Sequence, residues 1–271
     1  MQDLLKKIRS GHWVVMGILN VTPDSFSDGG RFNRPDSALK QALRMQQEGA
    51  EVIDIGGEST RPGATLISLD EELSRVVPVI EKIREHSSVA ISIDTSKPEV
   101  MQAAIEAGAS MVNDVNALHA AGASEVCAQY QVPVCLMHKQ GSPQNMQINP
   151  QYDDVVDEVK QYLISRVEHC VAAGIRAENI IIDPGFGFGK TLENNLCLLK
   201  EIAQFCALEI PVLVGISRKS MFGQLLDREV DERLIASVSA AVIAYQKGAR
   251  FFRVHDVAET SDALKLSAAV E

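Results

Sequence analysis

Eight short apolar runs in this chain each end on a polar residue or a polar cluster. In order, the ends are Asn20, the Gly-Gly-Glu-Ser-Thr stretch after Asp54, Asp94, Asn113 with Asp114, His138, Asp183, Ser217 with Lys219, and Arg253 with His255. Any single Asp or Ser before a helix is most simply an N-cap. Capping does not account for the set, because Lys219, Arg253 and His255 are cations, which the positive end of a helix dipole disfavours. Fixed carboxylates and amides suit the N–H and C=O edges of a polar heterocycle, while Lys, Arg and His suit an anion. The ends read as one site that holds both.

Other chemistries fail on spacing. Gly185 to Thr191 (GFGFGKT) approaches a phosphate-binding P-loop, but Pro184 stands where the first required Gly belongs. The same stretch misses the dinucleotide pattern G-x-G-x-x-G, because Lys190 replaces the last Gly. Gly215-Ile-Ser217-Arg-Lys219 begins like a nucleophile elbow and lacks its closing Gly. The six histidines include no HExxH pair, which argues against a zinc site.

Eight strand ends need a scaffold that gathers them. One grammar recurs: an amphipathic helix, a Gly, a short β-branched run, then the polar end. Gly49, Gly108, Gly174 and Gly248 close helices in this way. Strands are expected near Val14–Leu19, Val52–Ile55, Ala90–Ile93, Met111–Val112, Pro133–Leu136, Ile180–Ile182, Val212–Val214 and Phe251–Val254. Between them, Leu73, Val76, Val77, Ile80 and Ile83 keep helical spacing after a Ser68-x-x-Glu71 capping box, with a kink expected at Pro78. Ser96-x-x-Glu99, with Pro98 in the first turn, opens the next helix. Eight such units predict a single-domain (β/α)8 TIM barrel over residues 1–271, close to the usual length of about 250 residues.

Composition narrows the class. Hydrophobic residues make up 46% and charged residues 23%, enough for a large core. A net charge of −10 argues against nucleic acid and against anionic membranes. The charged start and the short apolar run from Trp13 to Leu19 predict neither an exported nor a membrane-spanning chain. The five cysteines contain no CxxC pair and fit reduced thiols, hence a cytoplasmic protein. The helix Leu234–Tyr245 (LIASVSAAVIAY) is more apolar than an outer barrel helix requires and is a candidate homodimer interface.

The motifs together resemble the dihydropteroate synthases, and the resemblance covers about Trp13 to Val257. Gly17-Ile-Leu-Asn20-Val-Thr-Pro-Asp-Ser-Phe-Ser-Asp-Gly-Gly30 is similar to that family's first loop, and Asp54-Ile-Gly-Gly-Glu-Ser-Thr-Arg-Pro-Gly63 to its second. Ile93-Asp94-Thr95, Val112-Asn113-Asp114, Met137-His138, Asp183 to Lys190, Gly215-Ile-Ser-Arg-Lys219 and Arg253-Val-His255-Asp256 follow in the family's order. The resemblance implies condensation of 6-hydroxymethyl-7,8-dihydropterin diphosphate with para-aminobenzoate, releasing pyrophosphate, with Mg2+ as cofactor. It implies catalytic roles for Asp94, Lys219 and Arg253, and a pterin site of Asp94, Asn113, Met137, Asp183, Gly215 and Lys219. Asn20, Arg253 and His255 would clamp the pyrophosphate, with Asn20 also at the metal. Thr60, Arg61, Pro62, Phe188, Ser217 and Lys219 would form the para-aminobenzoate pocket, where sulfonamides compete. The rivals are a catalytically silent pterin-binding paralogue and a pterin-dependent methyltransferase barrel. The paralogue should have lost the first two loops or Lys219 and Arg253; the methyltransferase should lack the Ser59-Thr-Arg-Pro-Gly63 stretch and the Arg253-Val-His255 clamp.

Overall fold

Short runs of Val, Ile and Leu flanked by glycine-closed helices favour parallel strands buried on both faces, and the computed structural model has this organisation. It describes residues 1–22, 34–59, 64, 66–141, 146 and 149–270. Helix α1 (Gln2–Arg9) precedes β1 (Val14–Asn20), α2 (Arg34–Gln47), β2 (Val52–Gly56), α3 (Leu69–Arg84) and β3 (Ala90–Asp94). Then come α4 (Pro98–Glu106), β4 (Met111–Asp114), α5 (Ala123–Tyr130), β5 (Val134–Met137), α6 (Val155–Ala172) and β6 (Ile180–Asp183). The last part holds α7 (Leu192–Lys200), α8 (Ala203–Cys206), β7 (Leu213–Val214), α9 (Ser220–Leu226), α10 (Leu234–Gln246), β8 (Phe251–Val254) and α11 (Val257–Ala269).

All pairings among these strands are parallel, in the order β6-β5-β4-β3-β2-β1-β8-β7. A single bridge between Ile182 and Val212 brings the two ends of this strip together, so the sheet is a nearly closed (β/α)8 barrel. The expected strands are all present, most of them one or two residues longer at the C-terminal end. The seventh is the exception. Pro211 and Gly215 bracket it, and only Leu213 and Val214 join a ladder.

Ser68 caps α3 by accepting from the Glu71 N–H, and the helix continues through Pro78. The expected cap at Ser96 is not formed. Lys97 is the N-cap of α4, Thr95 Oγ1 accepts the Lys97 N–H, and Ser96 donates its hydroxyl to Asp114. The Asp114 carboxylate also accepts the N–H groups of Asn116 and Leu118, so it braces its own loop and lies outside the site.

The first segment, read from sequence only as charged and polar, is a helix with one apolar stripe. Leu5 and Ile8 of α1 pack with Val14, Met16, Val52, Met111, Ile181 and Phe251 beneath the barrel axis. The larger core, including Ile53, Ile93, Val112 and Ile182, lies between the sheet and its helices.

Candidate active site

Alternation along a strand sends residues of one parity to the barrel axis and the other parity to the helices. The lower axial layer is apolar. Two to six residues further along, the same parity carries Asn20, Asp54, Asp94, Asn113, Met137, Asp183, Gly215 and Arg253 to the upper mouth. This is the end at which (β/α)8 enzymes build their sites.

Arg253 is the centre of this layer. Its Nε donates to Asp54 Oδ2 at 2.6 Å and its Nη2 to Asp94 Oδ2 at 2.7 Å. Asp54 Oδ2 also accepts from Asn113 Nδ2 at 3.1 Å. The other oxygens, Asp54 Oδ1 and Asp94 Oδ1, are buried and accept no hydrogen bond from any described residue. They are acceptors available to a ligand. Burial pushes the Asp94 carboxyl up to about 7, against the pull of Arg253 and with help from Asp54. Burial alone would lower the Arg253 guanidinium, but Asp54 and Asp94 reverse this and hold it above its ordinary value.

Asp183 is buried opposite. Its Oδ1 accepts the Gly185 N–H at 2.7 Å, and desolvation raises its carboxyl despite that bond and the cations Lys219, Lys190 and Arg253. A Cβ on Gly215 would lie 3.5 Å from Asp183 Oδ2, so Gly215 forms a wall against this carboxylate. Met137 is buried beside it at the end of β5. Asn20 and Asp94 flank Gly56: the Asn20 amide oxygen and an Asp94 carboxylate oxygen are 3.7 and 3.6 Å from the point where a Gly56 Cβ would sit.

Lys219 stands at the rim, its ammonium 4.2 Å from the centre of the Phe188 ring. It takes the N-cap position of α9, which the dipole argument disfavours for a cation. The conflict is resolved by the side chain, which makes no cap hydrogen bond and turns to Phe188. Ser217 Oγ lies 3.1 Å from His255 Nδ1 and accepts the His255 N–H. The intervening Arg218 has a left-handed backbone (φ 55°). Its Nε bonds Asp256 and its N–H bonds Ser237 Oγ.

The structure thus gathers Asn20, Asp94, Asn113, Met137, Asp183, Phe188, Gly215, Ser217, Lys219, Arg253 and His255 around one mouth. Thr60, Arg61 and Pro62, and most of the first loop, lie outside the described residues. His138 is held apart: it is buried against Tyr162 and Lys190, and desolvation, with the Lys190 charge, pushes its imidazole down to about 3. Asp54 was passed over from sequence as a site residue, although a lone carboxylate inside Val52-Ile-Asp-Ile55 was a signal. The network behind the second loop had no such signal. There Lys97 bridges Glu58 and buried Glu72, and Glu58 accepts the Ile67 N–H at 2.7 Å.

The sequence profile described as "Pterin binding enzyme" matches residues 16–255. The dihydropteroate synthase of Escherichia coli K12 is 52% identical over 255 residues, covering 94% of this chain and 90% of that protein. That of Haemophilus influenzae is 52% identical over 252 residues, covering 93% and 92%. Among solved structures, the Yersinia pestis dihydropteroate synthase with a sulfonamide drug superposes with a TM-score of 0.91 at 51% identity, covering 96% and 94% of the two chains. The Xanthomonas albilineans dihydropteroate synthase with 4-aminobenzoic acid gives 0.91 at 50% identity, covering 96% and 93%. A structure of the Xanthomonas protein with 7,8-dihydropteroate gives 0.87 at 46% identity, covering 96% and 94%.

Proposed function

The chain belongs to the pterin-binding enzyme family, and from that premise we infer that it carries out the dihydropteroate synthase reaction. It is a transferase of folate biosynthesis that joins 6-hydroxymethyl-7,8-dihydropterin diphosphate to para-aminobenzoate and releases pyrophosphate. The observation that carries this reading is the axial layer itself: three buried carboxylates, an amide and a guanidinium at one mouth, with Lys219 and Phe188 on its rim.

The residue roles are those that the family resemblance implies, set on that layer. A flat pterin lies between Met137 and Gly215, its paired N–H donors on Asp183 and its carbonyl oxygen toward Lys219. Asn113 and Asp94 meet the remaining ring nitrogens, and the free oxygens of Asp54 and Asp94 add acceptors. The bond from the exocyclic carbon to the diphosphate oxygen breaks, and its electron pair leaves with the diphosphate. The amine nitrogen supplies the new pair to that carbon and then loses one proton. Positive charge on the carbon spreads into the ring, where ionised Asp94 offsets it. An aromatic amine is neutral near pH 7, so no strong base is required. Arg253, His255 and Asn20 face the departing diphosphate. Phe188, Ser217 and Lys219, with Thr60, Arg61 and Pro62, receive para-aminobenzoate, and sulfonamides compete for the same place.

Among the described residues no group of three or more His, Cys, Asp or Glu could enclose a cation. Mg2+ keeps most of its waters and binds through one or two protein oxygens plus substrate phosphates. Asn20, beside Asp94, offers such an oxygen to an ion that arrives with the diphosphate. The ion would neutralise the leaving charge.

The working unit is one barrel domain that pairs with a second copy. Ile235 (80% exposed), Ile243 (41%), Leu225 and Leu226 (50% each) form an apolar groove on α9 and α10, larger in character than scattered surface hydrophobics. A cytoplasmic location fits the five unpaired cysteines. No helix among the described residues is long and apolar enough to cross a membrane. The net charge of −10 argues against non-specific binding of nucleic acid.

The test is pyrophosphate release from the dihydropterin diphosphate with Mg2+, with and without para-aminobenzoate. Amine-dependent release that yields dihydropteroate is expected. Pterin binding without release would point to the silent paralogue, and absence of binding would overturn the reading.

A further inference from the structure

Lys190 is a buried cation that the chemistry above does not use. It is 3% exposed, and its Nζ lies 2.9 Å from Gly185 O, 3.1 Å from Phe188 O and 3.0 Å from His138 Nδ1. Three neighbours match the three N–H donors of an ammonium. An uncharged amine is matched as well, donating to the two carbonyls and accepting from a protonated Nδ1. Burial lowers the Lys190 ammonium to about 7, so the site is built to hold this group in either form.

The loop wraps the side chain. Gly185, Gly187 and Gly189 all have left-handed backbones (φ 72°, 80° and 65°), which turns the carbonyls of residues 185 and 188 inward. A Cβ on Gly185 would meet His138 O at 1.9 Å, and one on Gly189 would meet Gln140 O at 2.4 Å, so the loop is pressed onto the chain after β5. Asn195 fastens its middle by accepting the Gly187 N–H at 2.7 Å, and Tyr152 donates to Gly189 O at 2.8 Å. Phe188, whose carbonyl Lys190 holds, carries the ring that Lys219 faces.

We propose that Lys190 is a positioning residue for the aromatic-amine site: its buried Nζ, bonded to Gly185 O, Phe188 O and His138, holds the Gly185–Gly189 loop so that the Phe188 ring stays against Lys219. This rests on the reading of that site given above. Lys190 touches neither substrate and acts through Phe188.

The experiment is a steady-state comparison of Lys190→Met, Lys190→Gln and Phe188→Ala, alone and combined, with thermal melts to confirm folding. Lys190→Met is expected to raise KM for para-aminobenzoate about tenfold, with the KM for the pterin diphosphate changed much less. Gln keeps two donors for the two carbonyls and is expected to restore most of the loss. In the Phe188→Ala background the Met substitution should add less than about twofold to the amine KM, because residues that act as a unit are not additive. An unchanged amine KM in a folded Lys190→Met enzyme, or the full tenfold effect without Phe188, would overturn the proposal. Should the Met variant not fold, Lys190→Ala takes its place in the same comparison, and an unchanged amine KM, or the full effect without Phe188, again overturns the proposal. Unmodified enzyme is the control: if it shows no amine-dependent turnover, the functional reading fails rather than this one.

Discussion

At Asp94 two opposing effects meet, and burial wins. Burial disfavours its charge, the Arg253 guanidinium favours it, and the carboxyl ends at about 7 instead of its ordinary 3.8. Between these values the folded protein holds a proton that the unfolded chain has lost, so stability contributed here falls as pH rises from about 4 to about 7. Catalysis runs the other way, because an ionised Asp94 is the form that offsets positive charge on the pterin carbon. We expect kcat/KM for the pterin diphosphate to fall as pH drops below about 7. Over the same window the melting temperature of Asp94→Asn relative to the unmodified protein should rise with pH. A flat rate profile, together with a pH-independent difference in melting temperature, would remove Asp94 from this role. The residues legible from sequence were those at strand ends, such as Asn20, Asp183 and Lys219, where polar types stand out after apolar runs. Asp54 sits inside its run, and only the parity of β2 shows that it faces the axis. Lys190 reads in sequence as a failed phosphate-loop lysine; its true environment is made by His138, 52 residues away.

Elements were the most legible scale, because glycine caps and β-branched runs are local. The failures came where tertiary contacts outweigh local ones. Ser96 gives up a cap to bond Asp114 on the neighbouring strand, and Lys219 takes a cap position because Phe188 receives its side chain. The Gly185–Gly189 loop has little freedom. Gly185→Ala would place a Cβ on His138 O and force a left-handed alanine, which alone costs about 1–3 kcal/mol. Its melting temperature should fall by several degrees and amine-dependent turnover should be lost with it. A variant with unmodified melting and rate would show that the loop yields more easily than this packing implies.

For the whole molecule, what the sequence could say depended on what the barrel itself requires. Eight strands and their axial parity follow from patterning; which outer face would meet a second copy does not, because one apolar helix fits either packing or pairing. The structure leaves Ile235 of α10 almost fully in solvent. Ile235→Glu should convert a dimer to a monomer in light scattering at micromolar concentration while leaving the fold intact. A protein already monomeric would refute the interface.

Helix α1 has a consequence for traffic. With Leu5 and Ile8 packed beneath the axial layer, the lower end of the barrel is covered by apolar side chains, and the polar mouth is the other end. Whatever sits deepest must arrive first and leave last. On the proposed placement of the two substrates, the pterin is expected to bind before the amine and the diphosphate to leave by the amine's side, an order that product-inhibition kinetics would check.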